Sequence, residues 1–226
     1  MFVKICGTTS EEDALLAVAL GADAVGFIFA PSPRQVTPTT AADIVKRLPP
    51  EIVTVGVFRG DSPQRIVDTM QQSGLRAAQL HGNETAEQTR WIRARVPMVV
   101  KAFAAGDSAI GRAGDYGADA VLLDSASPGS GVVFDWRLAE DVPPRTRLLL
   151  AGGLDADNVG DAIGQVKPWG VDVCSGVESA PGRKDPRRMR QFILAAKAAG
   201  DQLNKRAPGV EGGDEPYDWQ QDGSRW

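Results

Sequence analysis

Two side chains that could move protons stand at the ends of apolar segments far apart in the chain. Cys6 closes the first segment, two residues after Lys4, so both side chains face the same side of a strand. Asp124 closes a later segment. A thiol and a carboxyl group in one site could act as general base and general acid. Gly7 is expected to turn the backbone and leave the sulfur uncovered.

Two turns made of small residues follow the last two apolar segments. Gly152 and Gly153 follow one segment, and Ser175 and Gly176 follow the other. Glycines let main-chain N–H groups approach an anion, and a helix predicted to begin at Asp155 would add a favourable dipole. These turns therefore predict a phosphate site, with tight turns lacking any ligand as the alternative.

Three further polar residues stand at or just beyond apolar segments. Arg34 ends the rigid segment Pro31-Ser32-Pro33-Arg34, and arginine suits bidentate binding of a carboxylate, although a solvated loop arginine is the alternative. Gln79 and His81 share one face at the end of the fourth segment. His81 is the only histidine, and no zinc-type ligand spacing occurs, so no metal site is predicted.

Eight short apolar segments, rich in β-branched residues, recur along the chain. They are residues 2–6, 24–29, 52–58, 77–81, 98–103, 120–124, 148–151 and 171–174. Several are apolar on both faces, which is typical of parallel strands covered by helices. In a closed barrel the first and eighth strands are neighbours, so Lys4 is expected to face Asp172 as a structural pair.

Amphipathic segments alternate with these strands. Ser10 is a predicted N-cap, Gly21 a helix stop, Pro63 a first helical residue and Gly74 a residue beyond a helix end. The other predicted helices cover residues 40–48, 84–94, 156–163 and 185–199, and the connections after the fifth and sixth strands look short or irregular. Eight alternating units predict a single (β/α)8 barrel, with functional groups at the carboxyl ends of its strands. An open doubly wound sheet is the alternative, but no G-x-G-x-x-G follows a strand.

Composition and charge restrict the partners. The net charge of −4 equals that of residues 207–226 alone, which hold five acidic residues and one arginine, so residues 1–206 are neutral by count. A neutral domain disfavours nucleic acid as a partner, and no apolar stretch is long enough to span a membrane. Two cysteines and no signal-like N-terminus indicate a cytoplasmic protein. Residues 1–206 are predicted to form the barrel, and residues 207–226 a disordered acidic tail.

The ordered motifs resemble the phosphoribosylanthranilate isomerase family, (β/α)8-barrel enzymes of tryptophan biosynthesis. The resemblance runs from Lys4 to Ala199. Its motifs are Lys4-Ile5-Cys6-Gly7, residues 21–27, Ser32-Pro33-Arg34, Gln79-Leu80-His81-Gly82, Leu122-Leu123-Asp124, Gly129-Ser130-Gly131, Phe134-Asp135-Trp136, residues 151–154, residues 175–178, Pro181-Gly182 and Lys184-Asp185.

The resemblance implies an Amadori rearrangement of N-(5-phosphoribosyl)anthranilate to an open-chain 1-deoxyribulose phosphate. Asp124 matches the general acid that protonates the furanose ring oxygen, and Cys6 matches the general base that removes the C2 proton. Neither a cofactor nor a metal is implied, because the redox change is internal to the substrate. The implied partner is one small phosphorylated aminosugar, bound by a monomer or homodimer.

The resemblance also assigns the binding residues. Arg34 matches an arginine that contacts the anthranilate portion. Substrate binding is expected of Gln79 and His81, and phosphate binding of Gly152, Gly153, Ser175 and Gly176. The chain departs from the family at Val132-Val133, where many members carry a lysine, and in the tail, which matches nothing in the family.

Three alternatives stay open at this point. A histidine-pathway isomerase performs the same rearrangement, but it carries an aspartate at the position of Cys6 and a half-barrel repeat, whereas residues 1–110 and 111–206 share no obvious repeat. A barrel that binds a sugar phosphate without turnover is the second. A thiol-redox role for Cys6 and Cys174 is the third.

Overall fold

Eight parallel strands close into a barrel in the computed structural model, which describes residues 1–125 and 133–206. The strands are β1 (Phe2–Ile5), β2 (Ala24–Ile28), β3 (Val53–Phe58), β4 (Ala77–Leu80), β5 (Met98–Ala104), β6 (Ala120–Asp124), β7 (Leu148–Leu150) and β8 (Gly170–Val173). Pairing of β1 with both β2 and β8 closes the ring. The closure confirms the predicted (β/α)8 barrel and excludes the open sheet. The predicted tail and the position of Val132 lie outside the described residues.

Helices cover the outside of the barrel. Within the described ranges they are α1 (Glu11–Ala19), α2 (Pro38–Val45), α3 (Pro63–Ser73), α4 (Ala86–Arg93), α5 (Val159–Val166) and α6 (Pro186–Arg206). Short 3-10 segments, Ser108–Tyr116 and Trp136–Asp141, replace the helices after β5 and β6, as the irregular sequence there predicted. A small antiparallel hairpin of β9 (Glu178–Ala180) and β10 (Arg183–Lys184), which was not predicted, follows β8.

Local signals at several helix ends are confirmed. The Ser10 hydroxyl accepts a hydrogen bond from Asp13 N at 3.2 Å, and Pro63 opens α3. Gly74 ends α3 with φ +65°, a conformation that glycine adopts without strain. The predicted start of α5 was wrong. Asp155 Oδ1 accepts from the N–H groups of two following residues and forms a turn, so the helix begins only at Val159.

Alternation along the strands builds two layers of core. Alternate side chains fill the barrel interior, and the intervening ones pack under the helices. The interior cluster is Phe2, Ala24, Val53, Val55, Ala77, Met98, Val100, Ala102, Ala120, Leu122, Leu149 and Ala151. Lys4 and Cys6 follow Phe2 at intervals of two, and Asp124 follows Leu122 in the same way. The barrel therefore places these polar side chains above its apolar interior.

The described helices include none that is both long enough and apolar enough to cross a membrane.

Candidate active site

The predicted acid and base lie at the carboxyl ends of two barrel strands, on the side of each strand that faces the barrel interior. Cys6 directly follows β1, and Asp124 is the last residue of β6. Both are buried, at 5% and 7% exposure. This end of a (β/α)8 barrel is where catalytic groups assemble, because loops after every strand converge there.

Asp124 is oriented by its neighbours. Its Oδ1 accepts a hydrogen bond from Ser125 N at 2.7 Å, and its Oδ2 lies 3.4 Å from His81 Nε2. His81 Nδ1 lies 3.3 Å from Gln79 Nε2, so an amide N–H can donate to the ring and leave the ring proton on Nε2, facing the carboxyl group. The structure thus brings Gln79, His81 and Asp124 into one chain of polar contacts.

Cys6 is enclosed by polar groups. Its sulfur lies beside the Lys4 ammonium group and near the Cys174 thiol, each of which can donate a hydrogen bond to it. The hydrogen bond from Cys174, with the positive charges of Lys4 and Lys184, holds the pKa of Cys6 well below its ordinary value, although burial alone would raise it. The prediction that Gly7 leaves the Cys6 sulfur uncovered was wrong, because Cys6 is buried. A Cβ at Gly7, where φ is +70°, would lie 2.8 Å from both Arg34 Cδ and Cys174 Sγ, so this glycine makes room for neighbours.

Lys4 is paired inside the barrel as the closed topology predicted. Its Nζ lies 2.9 Å from Asp172 Oδ1 across the β1–β8 register. Burial lowers the pKa of Lys4, but Asp172 and the Cys6 sulfur more than offset this and raise it above its ordinary value. Burial raises the pKa of Asp172 to about 7, against the lowering effect of Lys4. Lys4 therefore stays charged beside the thiol.

The predicted phosphate-binding turns pack against each other and against the acid. Gly152 and Gly153 have φ of +83° and +67°, and a Cβ at Gly152 would lie 2.6 Å from Ser125 N. A Cβ at Gly176 would lie 2.0 Å from Leu154 O. Ser175 begins the 3-10 turn that contains Gly176. The backbone approaches are thus possible only without side chains, which suits a cradle of main-chain N–H groups.

Arg34 is held at the mouth by a residue that sequence reasoning missed. Its Nε and Nη2 each donate to the Glu178 carboxylate at 2.8 Å. Lys184 Nζ contacts the same carboxylate at 3.1 Å and donates to the main-chain oxygens of Cys6 and Cys174. Glu178 and Lys184 stood in two family motifs, which was the available signal. Arg34 is therefore a fixed group and not a solvated loop arginine.

A separate open cleft of about 790 Å³ adjoins the mouth on the side of β4 and β5. It is lined by Arg59, Lys101 and Tyr116 among others, and His81 is the predicted site residue that reaches it. Lys101 Nζ binds Glu84 Oε2 at 2.9 Å beneath this cleft. The cleft is thus a neighbour of the site at which the other predicted residues meet.

A closed barrel with a buried thiol, a buried carboxyl group and glycine turns at one mouth places this chain in the class of (β/α)8-barrel enzymes. The model of the N-(5'phosphoribosyl)anthranilate (PRA) isomerase family matches residues 3–195. The chain belongs to this family, which confirms the resemblance carried by its motifs. It is an isomerase of tryptophan biosynthesis.

Individual members of the family are similar to this chain over nearly their whole length. An N-(5'-phosphoribosyl)anthranilate isomerase of Desulforudis audaxviator is 46% identical over 204 residues, covering 87% of this chain and 98% of the relative. The Thermus thermophilus enzyme has a crystal structure with TM-score 0.82 and 39% identity, covering 88% of this chain and 99% of that one. A second crystal structure contains a PRA isomerase in complex with reduced 1-(o-carboxyphenylamino)-1-deoxyribulose 5-phosphate. It has TM-score 0.77 and 41% identity, with 88% and 99% of the two chains covered.

Proposed function

We propose that Asp124 and Cys6 carry the rearrangement of N-(5'-phosphoribosyl)anthranilate as general acid and general base. The observation that carries this assignment is the charged environment of Cys6, whose thiol sits beside the Lys4 ammonium with a lowered pKa. A thiolate at neutral pH can accept a proton from carbon, whereas an ordinary buried thiol cannot.

With these two roles, the rearrangement proceeds in three steps. The Asp124 carboxyl group donates its proton to the furanose ring oxygen, the C1–O bond breaks, and the nitrogen lone pair forms a Schiff base to C1. The Cys6 thiolate removes the C2 proton, and the C–H electrons form a C1–C2 double bond while the nitrogen regains its pair. The resulting enolamine tautomerises to the ketone, so no external oxidant or reductant takes part.

The remaining residues are proposed to hold the substrate. Main-chain N–H groups around Gly152, Gly153, Ser175 and Gly176 would receive the 5'-phosphate. Arg34 keeps one edge of its guanidinium on Glu178, and its remaining Nη1 would receive the anthranilate carboxylate. The complex of a 41% identical relative with a reduced 5-phosphate product analogue supports a phosphate and a carboxyphenyl group as the two ends to be bound.

The decisive experiment follows the loss of fluorescence of freshly generated phosphoribosylanthranilate, with the histidine-pathway substrate measured in parallel. We expect turnover of the first substrate by the wild-type chain. Absence of turnover would favour the non-catalytic sugar-phosphate barrel. Comparable turnover of both substrates would extend the activity to the histidine-pathway reaction. Cytoplasmic location, absence of nucleic-acid partners and a monomeric or homodimeric state stay predictions, the last to be checked by light scattering.

A further inference from the structure

The second cysteine of the chain lies against the proposed base. Ile5 and Val173 are register partners on β1 and β8, so Cys6 and Cys174 are the next pair along these neighbouring strands. Cys6 N donates to Val173 O at 2.8 Å, which fixes the two backbones at this point. The two thiols lie side by side, near enough for each to shift the pKa of the other, that of Cys6 downward and that of Cys174 upward. The pair is therefore built by the barrel closure.

One charged neighbour differs between the two sulfurs, Lys4 for Cys6 and Glu178 for Cys174. A Cβ at Gly26 would lie 3.0 Å from Cys6 Sγ and 3.1 Å from Lys4 Nζ, so the ammonium and this sulfur share one small space. Cys174 Sγ instead lies 4.0 Å from Glu178 Oε1, a long contact in which the Cys174 thiol is the donor. A nearby cation favours a thiolate, and a nearby carboxylate disfavours one. The proton between the two sulfurs therefore belongs on Cys174. Its thiol has two acceptors within reach, the Cys6 sulfur and, at the long distance of 4.0 Å, Glu178 Oε1.

The other charged groups around the pair do not reverse this order. Lys184 reaches both cysteines through their main-chain oxygens, and Arg34 acts on both sulfurs from the loop after β2. Asp172 acts on Cys6 from β8, but Lys4 stands beside it at 2.9 Å. Asp124 acts on Asp172 from β6. Since Lys184 and Arg34 contact both members, the difference between the two thiols comes from Lys4 and Glu178.

We propose that Cys174 is a positioning residue for the rearrangement, whose thiol donates a hydrogen bond to the Cys6 sulfur and keeps the proton off it. The inference rests on the proposed role of Cys6 as the base. It assigns to Cys174 a function that neither a small apolar side chain nor an alanine could supply. A hydroxyl group at this position could donate in the same way, so serine is the conservative replacement.

The test compares Cys174→Ala with Cys174→Ser. The chain has two cysteines, so Cys6 is the only thiol left in either variant and its titration can be followed by thiolate ultraviolet absorbance. In Cys174→Ala we expect the pKa of Cys6 to rise by about one pH unit or more, the size of a lost hydrogen bond to a charged group. The acidic limb of kcat/KM should move upward with it. In Cys174→Ser both should stay within about half a unit of wild type.

A purely structural role for Cys174 would lower the melting temperature without moving either titration. An unchanged Cys6 titration in Cys174→Ala would overturn the proposal. Failure of the underlying assignment is distinguishable, because it would appear as near-wild-type turnover of Cys6→Ser.

A second measurement uses the wild-type protein and does not depend on the folding of a variant. The rate of iodoacetamide alkylation of each cysteine is followed against pH by peptide mass spectrometry. The pH midpoint of each rate reports the thiolate fraction, whereas access changes only the plateau. We expect the Cys6 midpoint to lie below that of Cys174, and the reverse order would overturn the proposal.

Discussion

Arg34 and Glu178 form a bidentate ion pair that joins the loop after β2 to the start of β9. The two shortest contacts are both 2.8 Å, and Lys184 binds the same carboxylate at 3.1 Å. The Glu178 side chain is 4% exposed and that of Lys184 is fully buried. One carboxylate is thus the shared ion-pair partner of two cations at the mouth of the barrel.

Glu178→Gln should therefore lower the free energy of unfolding by about 3–5 kcal/mol, because it leaves two cations without their counter-ion. KM should rise as well, since Arg34 loses its anchor. Urea unfolding and steady-state kinetics measure the two effects. The exposed Glu87 on α4 gives a matched control, and Glu87→Gln should change stability by less than about 0.5 kcal/mol. Equal effects of the two substitutions would contradict this account.

The stability that Glu178 contributes should also depend on pH. Burial raises the pKa of Glu178, but hydrogen bonds from Arg34 and Lys184 hold it below its ordinary value. A carboxyl group with a depressed pKa in the folded state stabilises the fold above its unfolded pKa and loses this contribution on acidification. The difference in unfolding free energy between wild type and Glu178→Gln should therefore shrink below about pH 4.

Removal of the proposed acid or base should abolish most of the activity without unfolding the barrel. Cys6→Ser and Asp124→Asn should each lower kcat by at least about a hundredfold, the usual scale for general acid–base catalysis. Circular dichroism and melting curves check the fold. Asp68→Asn, at an exposed carboxylate on α3, is the control and should keep wild-type turnover. Activity near the wild-type level in either site variant would remove that residue from its assigned role.

The glycine turns should not accept alanine. At Gly152, φ is +83° and a Cβ would lie 2.6 Å from Ser125 N, so Gly152→Ala should raise KM for the phosphorylated substrate and lower stability by about 1–3 kcal/mol. Gly164 lies on α5 with no heavy atom within 4 Å of a Cβ, so Gly164→Ala should stabilise by up to about 1 kcal/mol. Inhibition by inorganic phosphate reports the cradle directly. A Gly152→Ala enzyme with unchanged phosphate affinity would argue for a plain turn.

The buried pair of Lys4 and Asp172 should be replaceable for folding but not for chemistry. At about pH 8, Asp172→Asn should cost about 3–5 kcal/mol by leaving a buried ammonium unpaired. The double variant Lys4→Met/Asp172→Leu should recover most of this loss. It should still have low kcat and a raised Cys6 pKa, because the cation beside the thiol is gone. A double variant with wild-type kinetics would show that the ammonium has no part in the reaction.

The proposed division into a barrel at residues 1–206 and a separate tail at residues 207–226 predicts that the tail is dispensable. A chain that ends at Arg206 should keep its melting temperature and turnover. Scanning calorimetry and the fluorescence assay measure both. A marked fall in either value would mean that the tail contacts the barrel.

Much of this arrangement could be predicted from sequence, because strand alternation and barrel closure are regular. The alternation of side chains along each strand predicted that Cys6 and Asp124 face the barrel interior at its mouth. The adjacency of the first and last strands predicted the pair of Lys4 and Asp172. Glu178 and Lys184 could not be placed in this way. They act from β9 and β10, which are three and two residues long, too short to leave an alternating pattern.

Two other features, the turn at Asp155 and the contact of Cys174 with Cys6, could not be predicted from the apolar pattern of the sequence. The sequence predicted that a helix begins at Asp155. Its carboxylate instead accepts hydrogen bonds from the next backbone N–H groups and forms a turn, because short acidic side chains bond readily to the backbone that follows them. The contact of Cys174 with Cys6 required the register of β8 on β1, which composition does not specify.

The residues that surround Cys6 come from both the start and the end of the barrel sequence. Cys6 belongs to the first strand of the barrel to be synthesised. The last barrel residues to be synthesised include Asp172, Cys174, Glu178 and Lys184. Until they arrive, Lys4 has no counter-ion and the Cys6 carbonyl has no lysine to bind it. A nascent chain therefore carries the thiol for most of the synthesis of the barrel without the charges that surround it in the folded protein, and β1 acquires them only when β8 and the hairpin after it pack beside it.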